Sequence, residues 1–208
     1  MTRRELLAVL GTASAVPMTA APAPPVAIAR CRSYEEDLAA LLNTMFDQLG
    51  GLPRLVQGKT VTIKLNLTGS PALRLQGRPL GVTHYTHPKT AIAMAHLLGR
   101  AGARRIRFVE SCWGTVGPLE EYLLESGWNL RSLRTAADNV IFENTNARGT
   151  YKRYARLPVP GGGLIFPAYD LNGAFAETDV LVSMAKLKPH GTTGITLAMK
   201  NMFGITPS

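Results

Sequence analysis

The chain has 208 residues, 46% hydrophobic and 18% charged, with a formal net charge of +9, a balance that excludes intrinsic disorder and a polytopic membrane protein. Its length suits one well-cored domain, and the scattered positive excess favours anionic partners in general. The one aromatic-basic interleave, Tyr151-Lys152-Arg153-Tyr154, comes with no zinc-finger, RRM or KH pattern, so it reads as a solvated strand edge and no nucleic-acid partner is expected.

Residues 1–25 read as a targeting segment and an Ala/Pro linker. Arg3 and Arg4 directly precede the apolar run 6–15, and small residues around 18–23 supply cleavage sites. This resembles a twin-arginine export signal, with Leu6 where such signals usually carry an aromatic residue. It implies the export machinery as a partner and a periplasmic or otherwise extracytoplasmic location. The apolar run is too brief for the ~20 residues of a membrane helix, so no stable span is expected. Residues 26–208 then form a single α/β domain.

Within that domain, residues 33–49 carry Leu38, Leu41, Leu42, Met45, Phe46 and Leu49 at helical spacing. Ser33 is the expected N-cap, with Glu36 completing a capping box. Residues 61–67 alternate as a strand, with Val61, Ile63, Leu65 and Leu67 on one face and Thr62, Lys64 and Asn66 on the other. The loop 68–87 is long for a compact domain, which marks it as functional or poorly ordered. Pro88 opens a helix over 88–101 that Gly102 stops, and residues 104–110 make a second strand.

Strand, helix and strand in that order make parallel pairing the default. A short helix over 118–126, a strand over 139–143, a turn at Gly161-Gly162-Gly163 into Leu164-Ile165-Phe166, a strand over 179–187 and a helix over 194–203 complete the chain. The expected fold class is α/β, a partly parallel sheet flanked by helices in a three-layer-like arrangement.

Ligands of open parallel sheets bind beyond the carboxyl ends of the strands, and three such ends here carry unusual residues. The first offers Lys64 and Asn66, the second Glu110 and Ser111, and the last Lys186, Lys188 and His190 before Gly191-Thr192-Thr193-Gly194. At a helix start that loop would expose backbone N–H groups and two hydroxyls, suiting a phosphate or carboxylate. It lacks the Walker A spacing. Lys200 and Asn201 would project from the same helix.

His84 and His87, three apart, supply two metal ligands, and only His190, His96, Glu110 or Asp179 could add to them, so no metal is expected. His87, just before Pro88, is the stronger site residue. Ser111-Cys112 lacks a nucleophile elbow, Trp113 and Trp128 read as packing residues, and Gly161 to Gly163 is a turn. Cys31 and Cys112 are too few for a four-cysteine cluster, so the chain alone binds no iron–sulfur centre. Whether they pair with each other stays open.

The strand VTIKLNL, the helix opening Thr86-His87-Pro88, the helix end Leu98-Gly99-Arg100-Ala101-Gly102-Ala103, Phe108-Val109-Glu110-Ser111 and the block DVLVSMAKLKPHGTTGITLAMKNMFGI together resemble the domain of unknown function 362 family. Some members carry ferredoxin-like cysteine clusters, absent here. Members generally continue past the Lys-Asn-x-Phe-Gly block, so the resemblance implies a chain that ends short of the family's full length.

The residues point to an enzyme acting on a small anionic or phosphorylated ligand, a redox cofactor among the candidates, with its reaction undefined. Lys64, Lys186, Lys188 and Lys200 would neutralise the anion and Thr192, Thr193 and Asn201 would orient it, with Asn66 and Glu110 beside them. His190 or His87 would move protons, since imidazole titrates near neutral pH, and a desolvated lysine such as Lys186 could act as base or nucleophile. The alternative is a non-catalytic periplasmic binding protein for an anionic solute.

Overall fold

The computed structural model describes residues 23–207, so the export signal expected over 1–25 lies outside the described residues save for its last three. Among the described residues there are eight strands: β1 Thr60–Lys64, β2 Arg105–Glu110, β3 Val140–Asn144, β4 Ala155–Pro158, β5 Ala168–Leu171, β6 Val180–Ser183, β7 Lys188–His190 and β8 Gly194–Thr196. Four of them form a parallel sheet in the order β3-β2-β1-β6. Ile63 stands opposite Phe108 and Val182, and Phe108 opposite Phe142. The architecture is α/β, this parallel sheet being flanked by helices, with β4-β5 and β7-β8 as small antiparallel pairs.

The expected alternation in β1 holds in sequence but has no solvent-facing side. Every residue of β1 is buried, as in parallel sheets covered on both faces. Thr62 is accommodated by the Thr178 hydroxyl at 2.8 Å, and Lys64 by a carboxylate described below. The helix Pro88–Arg100 connects β1 to β2 and buries Ala91, Ala95 and Leu98 completely. Pro88 sits in its first turn, where a missing N–H leaves no bond unmade. The helix Leu38–Gln48 packs on it.

That first helix begins later than Ser33. Asp37 caps it, accepting from Ala40 N at 2.9 Å, because its carboxylate sits directly before the apolar run and meets the amide dipoles as a full charge. Ser33 and Glu36 order the preceding turn instead, Ser33 Oγ accepting from Glu35 N and the Glu36 carboxylate from Arg32 N and Ser33 N. Leu164, Ile165 and Phe166 are exposed rather than paired in a strand. The turn through Gly161, Gly162 and Gly163 runs on to Pro167, and β5 starts only at Ala168, paired with β4.

The largest departure lies over residues 188–203. The expected single helix is replaced by the β7-β8 hairpin and the short helix Ala198–Met202. Gly194 has φ +73°, a left-handed geometry that an α-helix excludes and glycine permits. The β-branched pair Ile195-Thr196 then continues as strand. Gly191-Thr192-Thr193 is therefore a hairpin tip, not a helix N-terminus. The cysteines are both free, Cys31 exposed and Cys112 buried.

Candidate functional site

The sheet order places β2 and β3 on one side of β1 and β6 on the other. A parallel sheet opens a crevice at such a reversal, beyond the carboxyl ends of the two strands. Lys64 ends β1, Glu110 ends β2 and Ser183 ends β6. Lys64 Nζ and the Glu110 carboxylate form an ion pair whose side chains are 1% and 5% exposed. Lys64 Nζ also donates to Leu65 O at 2.8 Å, and Glu110 accepts from Leu67 N at 2.7 Å and Ser111 N at 3.0 Å. Both charges are out of water but paired with each other and hydrogen-bonded to the main chain, the condition under which burying them is tolerable.

Thr86 Oγ1 ties β1 to the chain beyond β6, donating to Met184 O at 2.8 Å and accepting from Asn66 N at 2.9 Å. Asn66 Oδ1 in turn accepts from Lys186 N at 3.3 Å. Asn201 Nδ2 donates to Lys64 O and Ser183 Oγ, while its Oδ1 is buried with no partner among the described residues. Thr196 Oγ1, on the strand position facing Lys188, is buried and unpartnered in the same way.

Three lysines rest on neutral oxygens. Lys64 holds Leu65 O, Lys186 holds Gly81 O at 2.6 Å and the Tyr34 hydroxyl at 2.8 Å, and Lys188 holds His84 O at 2.7 Å. Burial lowers the Lys188 pKa to about 8, with Lys200, Lys186 and Lys64 acting in the same direction and Glu110 opposing. Three other ammonium groups and one carboxylate thus act on Lys188. Carbonyl oxygens satisfy their hydrogen bonds without cancelling their charge, so the crevice is electropositive.

The histidines divide differently from expectation. His87 stacks on Tyr34, ring centroids 3.7 Å apart, and its Nδ1 accepts from Lys89 N as the cap of the long helix. His190 Nδ1 accepts from Thr192 N and Thr193 N, both at 3.2 Å, and Thr193 Oγ1 donates to Ile195 O. The N–H groups expected to receive an anion therefore close onto an imidazole at an exposed tip. Lys64, Asn66, Glu110, Lys186, Lys188, Lys200 and Asn201 converge on the strand ends, whereas no hydrogen bond joins Thr192 or Thr193 to them.

His84 is the residue that sequence reasoning passed over. Its Nδ1 lies 2.8 Å from Thr83 Oγ1, which itself donates to a carbonyl of Pro79 or Leu80. Nδ1 is thus engaged by Thr83, whereas Nε2 is buried with no partner among the described residues. Burial first, then Lys188, Arg74 and Lys186, pull its pKa down. In sequence it was visible only as half of a metal-like pair with His87; what distinguishes it is the backbone carbonyl it offers to Lys188, which no pattern displays.

His87 is also pulled down, by burial and then by Lys186 and Lys89. Both folded-state pKa values lie below the ordinary 6.5, so the unfolded chain binds these protons first. Stability is undiminished above pH 6.5 and falls as the pH drops below it, towards the folded-state values. Thermal melts between pH 7.5 and 5 should show this slope, and it should flatten in the His84→Gln/His87→Gln variant.

A cleft of about 480 Å³ opens over Glu110, lined among others by Leu67, Ser111, Trp113, Phe203 and Gly204. Its size is within the range for small-molecule sites. Trp113 does not pack inside as expected but is 66% exposed at the rim, while Trp128 is buried. A Cβ on Gly204 would stand 3.3 Å from Lys64 Nζ, so glycine there lets the main chain lie close over the ion pair.

The family described as Domain of unknown function (DUF362) matches residues 61–208. The chain is also similar to a thylakoid-associated protein of Synechocystis sp., 29% identical over 184 residues, which cover 88% of this chain and 50% of that protein. It thus spans about half the length of the curated relative it matches. No solved structure matches. Among the described residues no helix is long and apolar enough to cross a membrane.

Proposed function

The chain belongs to the DUF362 family, and we propose that it binds a small anionic or phosphorylated ligand at the carboxyl ends of β1, β2 and β6 and acts on it as an enzyme. The observation that carries this reading is that the charges of Lys64, Lys186 and Lys200 bear on the partly buried Lys188, with Glu110 as the opposing carboxylate. A protein gains no stability from crowding like charges in a half-buried crevice; an incoming anion relieves that repulsion. Asn201 and Thr196, each with an unpartnered buried oxygen, would orient the ligand. His84, whose Nε2 is buried and unpartnered among the described residues, joins His87 and His190 as a candidate for the proton-moving role.

Calorimetric titration of the purified protein with inorganic phosphate at low ionic strength tests the reading. Saturable one-to-one heat is expected, weakened roughly 10–100-fold in Lys186→Met, the scale of one charge-assisted hydrogen bond. Heats of dilution alone in the parent protein would sink the proposal. Export belongs to the same proposal, on the strength of Arg3-Arg4 and the apolar run behind them. Cell fractionation that finds the chain wholly in the cytoplasm overturns that part.

A further inference from the structure

Resting on that reading of an anion-binding crevice, we propose that Lys188 is a covalent amine that condenses with the aldehyde or ketone carbon of a ligand also carrying a carboxylate or phosphate. The candidate substrates are therefore oxo-acids and carbonyl phosphates as a class. The other three lysines are committed elsewhere. Lys64 is 1% exposed and paired with Glu110; Lys186 is held by two oxygens and lies over the Tyr34 ring; Lys200 lies over the Phe203 ring. Lys188 has a single neutral partner, the His84 carbonyl, is only partly buried, and faces ammonium groups of Lys64, Lys186 and Lys200 against one carboxylate.

Those surroundings favour the uncharged amine, since both burial and neighbouring cations penalise the ammonium form. A lysine whose pKa falls from 10.5 to about 8 holds roughly 300-fold more free amine at neutral pH than an ordinary one. The His84 carbonyl, 2.7 Å from Lys188 Nζ, holds the amine in place while its ammonium proton leaves to solvent. The nitrogen lone pair attacks the carbonyl carbon, forming a C–N bond while the C=O π pair moves to oxygen. That oxygen takes up one proton from the attacking nitrogen and one from solvent and leaves as water, as the nitrogen's lone pair forms the C=N bond of a protonated imine. The positive field of the remaining lysines attracts the ligand's anionic group.

Pyridoxal 5′-phosphate supplies both an aldehyde and a phosphate, and borohydride reduction fixes any imine for peptide mapping. In a brief, substoichiometric reaction Lys188 should be labelled at least about tenfold faster than the exposed Lys89 and Lys152, with a rate that rises with pH through a midpoint near 8. Inorganic phosphate should slow it. Lys188→Arg, which keeps the charge, should lose the label while still binding phosphate in the calorimeter. Equal labelling of Lys188 and the two exposed lysines would overturn the inference. Selective labelling of Lys188 that phosphate does not slow would instead uphold the reactive amine and remove the anion site beneath it.

Discussion

Glu110→Gln should destabilise the folded chain by about 3–5 kcal/mol, the cost of leaving one member of a buried ion pair without its counter-charge. The amide keeps one acceptor for Leu67 N or Ser111 N, which Glu110 now serves at 2.7 and 3.0 Å, so the loss is chiefly electrostatic. With Lys64 1% exposed, its ammonium would have no water to turn to. In a domain of this size each kcal/mol shifts the melting temperature by about 2–4 °C, so a fall of roughly 6–20 °C is expected by calorimetry. Adding Lys64→Met should recover much of it, because the uncompensated charge is then gone. A single variant within about 1 kcal/mol of the parent would mean that the pair is not desolvated as described.

The second large effect belongs to Phe108. It lies on β2 between Ile63 and Phe142, fully buried, its ring stacked on Phe142 with centroids 5.9 Å apart. Phe108→Ala should cost about 3–5 kcal/mol in urea unfolding, the transfer of the ring plus the cavity it leaves between two neighbouring strands. The neighbours cannot close the gap, because β1 and β3 are held at fixed spacing by their ladders to β2. Phe142→Ala should cost less: that ring is only partly buried and is covered on one side by the Arg134 guanidinium, 5.5 Å from its centroid. A smaller loss at Phe108 than at Phe142 would put the centre of the core elsewhere.

Much of this was readable in advance where periodicity and termination signals agreed. The helix at Pro88 has a proline at its start, a glycine beyond its end and apolar residues at helical spacing, and the structure begins it at that residue. The strands around Ile63, Phe108, Phe142 and Val182 were legible as apolar runs, and their parallel pairing followed from the intervening helix. Legibility failed where a local signal had two readings. Gly194 followed by Ile195-Thr196-Leu197-Ala198-Met199 has helical composition, but the glycine takes a left-handed φ and the hairpin wins. Ser33 carried the cap and capping-box pattern, but Asp37 stands directly before the first buried leucine and takes the cap.

For the site, the residue types were legible and their commitments were not. Lysines in a small-residue block point to an anion, yet the sequence does not show that His190 occupies the Thr192 and Thr193 amides. Nor does it show that Lys188 leans on the main chain of a residue 104 positions away. Such pairings depend on where the loop 68–87 returns to the sheet. Tyr85, buried beside Tyr122, fixes that return by donating to Gly69 O, as Tyr122 does.

Thr86 joins the main chain after β1 to the main chain after β6 through one hydroxyl. Beyond Lys64 and Ser183 the two strands part company, and what spans them is an oxygen that receives from one and gives to the other. The mouth of the crevice is therefore gauged in part by this one atom, beside the bonds that Asn66 and Asn201 make across the same gap. Serine would keep that gauge but loosen its hold, and valine would keep the shape but unfasten the latch. Aperture here is a property that evolution or design can adjust without touching a charged residue.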